Sequence, residues 1–249
     1  MNYHLGIDIG SVSVKAVVMN ERKEIAEERY VRHYGEPQKV AQREIEDLSA
    51  RFDLGAVATT GSGGKLIPGR FVNEIVAQSK AVAALHPDVR TVIEIGGEDS
   101  KLFWMKKGRL ADFLTNTVCA AGTGSFLDQQ ASRLGLNIEE FSRLALKSKN
   151  PPRIAGRCTV FAKSDMIHLQ QKGTPDYEIV AGLCLALARS FISNAGKGKK
   201  WGKPIAFQGG VAANPGVVRA FERVLGIDEL VIPKHFASMG AIGAVLSLL

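Results

Sequence analysis

A short stretch near the start of the chain, Ile-Asp-Ile-Gly at positions 7–10, recurs as Ile-Glu-Ile-Gly at positions 93–96. The same offset of 86 residues (93 minus 7) relates Lys15 to Lys101. Each copy has the pattern of a strand that ends in an acidic residue and a glycine turn, followed by a second apolar strand and a charged turn. This repeat predicts a duplicated fold in which each of two lobes carries the same hairpin.

The residues of this hairpin suit nucleotide binding. Glycine lets the backbone approach a phosphate closely, and a carboxylate can hold Mg²⁺ directly or through its waters. Two such hairpins facing one phosphate chain would form a nucleotide clamp. In the first copy the candidates are Asp8 for Mg²⁺, with Gly10, Ser11, Ser13 and Lys15 for the phosphates. In the second copy they are Glu94, Glu98 and Asp99 as acidic groups, with Gly96, Gly97 and Lys101 for the phosphates.

Two further glycine turns extend this predicted nucleotide site. One precedes a predicted helix, whose free N–H groups would favour an anion. The other has paired glycines between a predicted strand and a helix, so that an adenosine could lie flat on the backbone. Each turn alone is weak support for a nucleotide site, but four such turns are jointly much stronger. The candidate residues are Gly122, Thr123 and Gly124 in one turn, and Gly209, Gly210 and Asn214 in the other.

Strand hairpins alternate with helical patterns along the chain, which predicts an α/β protein with two sheets and helices packed on them. We expect an N-terminal lobe over residues 1–88 and a C-terminal lobe over 89–249, with the last helix able to return to the first lobe. The last two elements are predicted to be a strand at Leu230–Ile232 and a helix at Ala237–Leu248.

Charge and hydropathy argue against several other classes of protein. The net charge of +7 is spread along the chain, with one cluster at Lys197–Lys200 and no aromatic residue within it to stack on bases. No stretch approaches the ~20 apolar residues of a membrane span, and polar side chains break the first apolar run. We therefore expect a cytoplasmic protein that binds neither nucleic acid nor a membrane.

Three cysteines in such a chain argue against a disulfide framework. Cys119 lies just before the first of the two added glycine turns, and Cys158 is predicted near the start of another helix. Two thiolates are too few for an iron–sulfur cube, which needs about four, but a two-fold dimer would bring four together. On spacing alone, a buried structural role for both is equally consistent. Cys184 lies in an apolar helical run and is expected to be a core residue.

A resemblance to known ATPases lies in five stretches of the chain, which are residues 6–11, 96–101, 119–128, 158–162 and 209–214. Together they resemble the actin, sugar-kinase and heat-shock-chaperone superfamily, over nearly the whole chain. The closer similarity is to the ATP-dependent activators of 2-hydroxyacyl-CoA dehydratases and the ATPase subunits of benzoyl-CoA reductases. The resemblance implies a two-lobed, actin-like fold built on a duplicated ribonuclease H-like unit. The sequence departs from the family pattern at Val12, Glu94 and Glu98, where Thr, Asp and Gln are usual.

The resemblance also implies a function. An ATPase of this kind transfers a low-potential electron from a [4Fe-4S] cluster, one per homodimer, to a partner iron–sulfur enzyme. Cys119 and Cys158 of both chains are the implied ligands, and the protein would be oxygen-sensitive. The implied cofactors are ATP or ADP, Mg²⁺ and the cluster. The implied partners are a second copy of the chain, an electron donor such as ferredoxin or flavodoxin, and an iron–sulfur dehydratase or reductase.

Three alternatives stay open from the sequence. The same mechanism could serve a double-cubane-cluster or benzoyl-CoA-type reductase. The chain could instead be an amino-sugar-type kinase with Asp99 as the base, although its length leaves little room for a substrate domain and the cysteine pair would be idle. It could also be an ATP-switched scaffold without an enzymatic reaction of its own.

Overall fold

The structure, a computed structural model, describes residues 2–116, 122–156, 159–196 and 198–249, and for Thr159 the backbone alone. The chain divides into two compact units, and each contains one sheet or the larger part of one. The first unit comprises Met1–Arg90, Trp104–Asp112 and Pro233–Leu249, and the second comprises Thr91–Phe103 and Phe113–Ile232.

The first unit is built on a five-stranded sheet with the order β3-β2-β1-β4-β5. The strands β1, β2 and β3 form an antiparallel meander, and β4 lies parallel to β1 on its other side. The strands are β1 (Tyr3–Ile9), β2 (Ser13–Asn20), β3 (Ile25–Arg32), β4 (Leu54–Thr60) and β5 (Arg70–Phe71). The helices of this unit are α1 (Pro37–Arg51), α2 (Glu74–Leu85) and α8 (Met239–Val245).

The strand β1 is covered on both faces, because its side chains alternate between them. Leu5, Ile7 and Ile9 are fully buried in a cluster that includes Val40, Ala41 and Leu48 of α1. The opposite face carries Gly6 and Asp8, which adjoin Ala241 and Gly240 of α8. Helix α8 therefore packs directly on the strand that ends in the first candidate acid.

The second unit repeats this arrangement with a four-stranded sheet in the order β8-β7-β6-β9. The strand β6 has β7 on one side and the parallel strand β9 on the other, just as β1 lies between β2 and β4. The predicted duplication of the hairpin is therefore confirmed at the level of sheet topology. The strands are β6 (Thr91–Ile95), β7 (Ser100–Lys106), β8 (Arg109–Asn116) and β9 (Ile205–Gln208).

The core of the second unit centres on one long helix, α6, whose residues from Ile179 to Ala188 are all buried. Aromatic rings connect this helix to Phe221 of the next helix, and Phe221 to Phe207 of β9. The ring centroids of Phe191 and Phe221 lie 5.5 Å apart, and those of Phe207 and Phe221 lie 5.2 Å apart. The helices of this unit are α3 (Gly124–Arg133), α4 (Ile138–Leu144), α5 (Thr159–Gln171), α6 (Asp176–Asn194) and α7 (Pro215–Leu225).

Two of the predicted late elements were wrong in extent. The predicted strand at Leu230–Ile232 is a single bridge between Val231 and Ala206, and Pro233, which has no N–H to donate, follows it. The predicted final helix is shorter than expected and covers Met239–Val245. Among the described residues, no helix is both long and apolar enough to cross a bilayer.

The close packing of α8 gives a test of the fold. Gly243 lies against the backbone of Ala77 in α2, and an added Cβ would overlap the Ala77 carbonyl group. Helix propensity alone would make Gly243→Ala stabilising by about 0.5–1 kcal/mol. We expect the opposite sign, a loss of about 1–3 kcal/mol or more, because the helices must separate. Denaturant unfolding measures this directly, and an unchanged or raised stability would show that α8 does not pack in this way.

Candidate functional site

The two glycine turns of the duplicated hairpin have the same geometry. The N–H of Gly10 donates to the carbonyl oxygen of Ser13 at 3.0 Å, and the N–H of Gly96 donates to that of Asp99, also at 3.0 Å. Donor and acceptor are both related by the offset of 86 residues found in the sequence (96 minus 10 and 99 minus 13). The sequence repeat therefore corresponds to the same turn in both units.

Each hairpin holds a lysine against its acidic residue. Lys15 lies opposite Asp8 in the strand register, with Nζ 3.5 Å from Oδ2. In the second unit, Nζ of Lys101 lies 3.1 Å from Oε2 of Glu94 and 2.6 Å from Oδ2 of Asp99. Lys101 is only 4% exposed, so these carboxylates stabilise a buried charge. Each lysine thus interacts with carboxylates of its own unit, in addition to any role towards phosphate.

In each unit, a third residue lies next to the acid of this lysine–acid pair. It belongs to the parallel strand on the other side of the acid's strand. Thr60, at the end of β4, lies opposite Asp8, and Gln208, at the end of β9, lies opposite Glu94. Directly opposite residues of paired strands point to the same face of the sheet. We call these sets the first row (Lys15, Asp8, Thr60) and the second row (Lys101, Glu94, Gln208).

A glycine with positive φ follows the third residue of each row: Gly61 has φ of 85° and Gly209 has φ of 87°. A Cβ at Gly61 would lie 2.5 Å from the carbonyl oxygen of Ile9, and one at Gly209 would lie 2.9 Å from Oε1 of Glu94. Only glycine fits these positions without strain. Each carboxylate therefore directs one oxygen towards the lysine and the other towards this glycine.

Like Thr60 and Gln208, Gly61 was not among the site residues predicted from the sequence. Its counterpart is Gly209, 148 residues later (209 minus 61), whereas the hairpins are 86 residues apart. The longer helical insertion of the second unit, between β8 and β9, separates them, so a search at one fixed offset does not find the match. The signal was present in the Gly-Ser-Gly-Gly run that directly follows β4.

In each unit, the polar atoms near the row suit the water shell of Mg²⁺ and phosphate oxygens. Thr60 Oγ1, Ser100 Oγ and both amide atoms of Gln208 are buried and have no hydrogen-bond partner within the described parts of the chain. Buried polar groups are nearly always satisfied, so such a set points to a ligand or to bound water. Carboxylates combined with hydroxyl and amide groups suit Mg²⁺ and its water shell.

One expectation about the start of α3 was wrong. The N–H groups of Gly124 and Ser125 are not free for an anion, because they donate to the carbonyl oxygens of Gly96 and Gly97 at 2.9 and 2.8 Å. The first N–H groups of a helix lack partners inside the helix, and the hairpin turn supplies two. The result is a direct link from the second hairpin to α3.

The remaining candidates have different surroundings. Asn214 caps α7, since its Oδ1 accepts from the N–H of Val217 at 3.1 Å. Glu98 lies exposed at the tip of the second hairpin turn, and Ser11 is half-buried in the first. Gly122 and Thr123 are buried, and Gly210 begins a short 3₁₀ helix over Gly210–Ala213.

His33 adjoins the first hairpin, although its sequence position did not suggest this. The N–H of Gly35 donates to Nδ1 of His33, and Nε2 lies 3.1 Å from the carbonyl oxygen of Gly10. Since a carbonyl can only accept, Nε2 carries the proton and donates to Gly10. The hydrogen bond from Nε2 to Gly10 therefore helps to fix the orientation of the glycine turn.

The two predicted cluster ligands, Cys119 and Cys158, lie outside the described residues. Cys184 is a free thiol inside α6 with 1% exposure, which agrees with the expected core role. Burial raises the pKa of the Cys184 thiol to about 12, so the thiolate needed for metal ligation is disfavoured.

The duplicated sheet, the two rows and their glycine turns define an ATPase with the two-sheet, actin-like fold. Residues 5–247 match the BadF/BadG/BcrA/BcrD ATPase family, so the chain belongs to this family and is an ATPase. The resemblance seen in the motifs is thereby confirmed.

Known relatives match the chain from end to end. It is 33% identical to the (R)-2-hydroxyglutaryl-CoA dehydratase activating ATPase of Acidaminococcus fermentans, over 98% of this chain and 96% of the relative. It is 27% identical to one of the benzoyl-CoA reductase subunits of Thauera aromatica, over 99% and 93% of the two chains. Among solved structures, the activator of 2-hydroxyisocaproyl-CoA dehydratase from Clostridium difficile, with bound ADPNP, superposes with a TM-score of 0.90 at 31% identity, covering 98% and 93%.

The glycine turn of the second row gives a test of the site. Gly209→Ala would force a Cβ against the backbone of Ile95 and the carboxylate of Glu94. We expect at least a tenfold loss of affinity for Mg·ADP, because the acid must move from its place beside the glycine. Calorimetric titration with Mg·ADP measures this loss.

Gly108→Ala is the matched control for this substitution. Gly108 also has a positive φ, of 69°, but nothing lies within 4 Å of an added Cβ. It tests alanine at a position with a positive φ and no overlap. Equal nucleotide affinity in both variants would contradict the proposed role of the Gly209 turn.

Proposed function

We propose that this protein is an ATP-dependent reductive activator. It transfers a low-potential electron to a partner iron–sulfur enzyme of the 2-hydroxyacyl-CoA dehydratase type. The observation that carries the proposal is the similarity of the whole chain to dehydratase activators, both in sequence and in fold. The two rows support it, because each supplies the acidic and glycine-rich elements that an Mg·ATP site needs.

In this proposal Asp8 and Glu94 hold the Mg²⁺ of ATP through its waters, and the turns at Gly10 and Gly96 bind the phosphates. Lys15 and Lys101 balance the charge of the acids and the phosphates. The paired glycines at 209 and 210 face the adenosine. Glu98 and Asp99 lie at the second hairpin, where they orient water or Mg²⁺ during hydrolysis.

Cys119 and Cys158 of two chains would together hold one [4Fe-4S] cluster in a homodimer. The cluster would supply a single low-potential electron, received from a donor such as ferredoxin or flavodoxin. Four thiolates from a two-fold pair match the usual ligand count of such a cluster. Cys184 is not part of the set, because its thiol is buried in the core of α6.

The hairpin and α3 give a physical route between nucleotide and cluster. The turn at Gly96 and Gly97 accepts the first N–H groups of α3, and Cys119 precedes Gly124 by five residues (124 minus 119). We propose that a change in the turn when phosphates bind shifts the start of α3, the helix that follows Cys119 in the sequence. This coupling follows the general pattern in which a ligand biases one of two states of a packed element.

The available energy is large enough for this coupling. A nucleotide that favours one of two states by about 10⁴-fold contributes roughly 5.5 kcal/mol. For a one-electron couple, at 59 mV per decade, this corresponds to about 0.24 V. Such a shift would allow an electron to reach an acceptor that is otherwise too negative.

The relatives suggest two kinds of partner enzyme. The dehydratase activators favour a 2-hydroxyacyl-CoA dehydratase-like partner, and the relative from benzoyl-CoA reductase favours a reductase. The mechanism in this chain is the same for both, and for a double-cubane-cluster reductase. A sugar-type kinase is less well supported, because the carboxylate of Asp99, its candidate base, is bound to Lys101 at 2.6 Å.

The proposal predicts a cluster that depends on two of the three cysteines. Anaerobically purified protein should contain about four iron and about four acid-labile sulfide per dimer. Cys119→Ala and Cys158→Ala should each lose both, since each removes two of the four ligands from the dimer.

Cys184→Ala is the matched control and should keep the full iron content. Iron and sulfide analysis alongside size-exclusion chromatography measures content and oligomeric state together. If strictly anaerobic, reconstituted wild-type protein lacks iron while it still hydrolyses ATP, the redox function is wrong.

A further inference from the structure

Gln208 is a polar residue at a position that the sheet would normally fill with an apolar one. It ends β9, whose four residues are all buried, and it is itself 0% exposed. Neither its amide nitrogen nor its amide oxygen has a hydrogen-bond partner among the residues that the structure describes. A buried amide without partners destabilises a fold, so its presence calls for a role outside the packing of the core.

The position of Gln208 indicates what that role concerns. It lies directly opposite Glu94 in the parallel register of β6 and β9, on the same face of the sheet. Oε2 of Glu94 is bound to Lys101, while Oε1 lies on the side of Gly209, the residue after Gln208. Strands are spaced about 4.8 Å apart, so one water molecule can bridge the carboxylate and the amide.

The first unit contains the same arrangement built from different residues. Thr60 lies opposite Asp8, is 0% exposed, and its Oγ1 is also without a partner in the described part of the chain. A carboxylate next to a buried polar group with unused hydrogen bonds therefore recurs in both halves of a duplicated fold. Two different side chains provide this buried polar group opposite the acid. This argues that both form hydrogen bonds to a bound group, and that the polar residues are not there by chance.

We propose that Gln208 is a positioning residue of the ATPase reaction, whose amide holds a water molecule of the Mg²⁺ hydration shell against Oε1 of Glu94. The amide can donate to a carboxylate or water and accept from water at the same time. Groups that orient a metal-facing carboxylate in this way typically contribute 10–100-fold to affinity or activity. The inference rests on the Mg·ATP site of the proposed function, but not on the cluster or the partner.

The test compares Gln208→Met with Gln130→Met in the nucleotide-bound and nucleotide-free protein. Methionine keeps the length and volume of glutamine and removes the amide. Gln130 is the matched control, since it is a buried glutamine of the same unit, lies on α3 and has an Oε1 that likewise finds no partner in the described ranges.

We expect Gln208→Met to lower kcat for ATP hydrolysis by about 10–100-fold and to raise the Mg²⁺ concentration for half-maximal ADP binding by about tenfold or more. KM for ATP should change by less than about threefold, because the phosphate turns and the adenosine site are intact. Without nucleotide, the variant should unfold at the wild-type temperature or above it, since a desolvated amide has been removed. Gln130→Met should leave kcat and the Mg²⁺ dependence at wild-type values.

Two results would overturn the assignment. The first is a Gln208→Met protein with wild-type kcat and Mg²⁺ dependence. The second is a fall in the unfolding temperature without nucleotide that is accompanied by an unchanged response to Mg²⁺, which would make the amide a structural group. If the methionine variant does not fold, Gln208→Leu gives the same comparison, and loss of folding in both would equally contradict the assignment. If the wild-type protein contains no iron, the electron-transfer function is wrong, but the proposed role of Gln208 in ATP hydrolysis is unaffected.

Discussion

The buried charge of Lys101 is the interaction on which the second hairpin depends. Its ammonium group lies between the carboxylates of Glu94 and Asp99 and is almost completely shielded from water. Removing one partner of such a buried pair typically costs about 3–5 kcal/mol, because the other charge is left uncompensated. The pair therefore fixes the acid at the end of β6 beside the glycine turn, and the same logic holds Asp8 with Lys15 in the first unit.

The fixed turn then connects the nucleotide chemistry to the rest of the second unit. Its carbonyl groups accept hydrogen bonds from the N–H groups of Gly124 and Ser125, so the turn is joined directly to the start of α3. Gly209 closes the arrangement from β9, because only glycine fits between the Ile95 backbone and Glu94. The start of α3 and the end of β9, both distant in sequence from β6, thus contact the hairpin that carries Glu94.

Much of this arrangement could be predicted from the sequence. The repeated Ile-acid-Ile-Gly pattern predicted the two hairpins and the matching positions of Lys15 and Lys101, because the hairpins are local and have the same length. The third member of each row was not predicted, since Thr60 and Gln208 reach their acids through parallel strands at different separations, 52 and 114 residues (60 minus 8 and 208 minus 94). The prediction of a free N–H group at Gly124 was wrong for a similar reason. The sequence indicates where a helix begins, but not that a turn distant in sequence accepts its first hydrogen bonds.

The central claim is that the nucleotide state of the hairpins changes the surroundings of a cluster held by Cys119 and Cys158. The most direct measurement is an anaerobic redox titration of the dimer, followed by electron paramagnetic resonance, with Mg·ADP and with a non-hydrolysable ATP analogue. We predict a changed spectrum of the reduced cluster and a lower midpoint potential with the ATP analogue. Identical spectra and potentials in the two nucleotide states would contradict it.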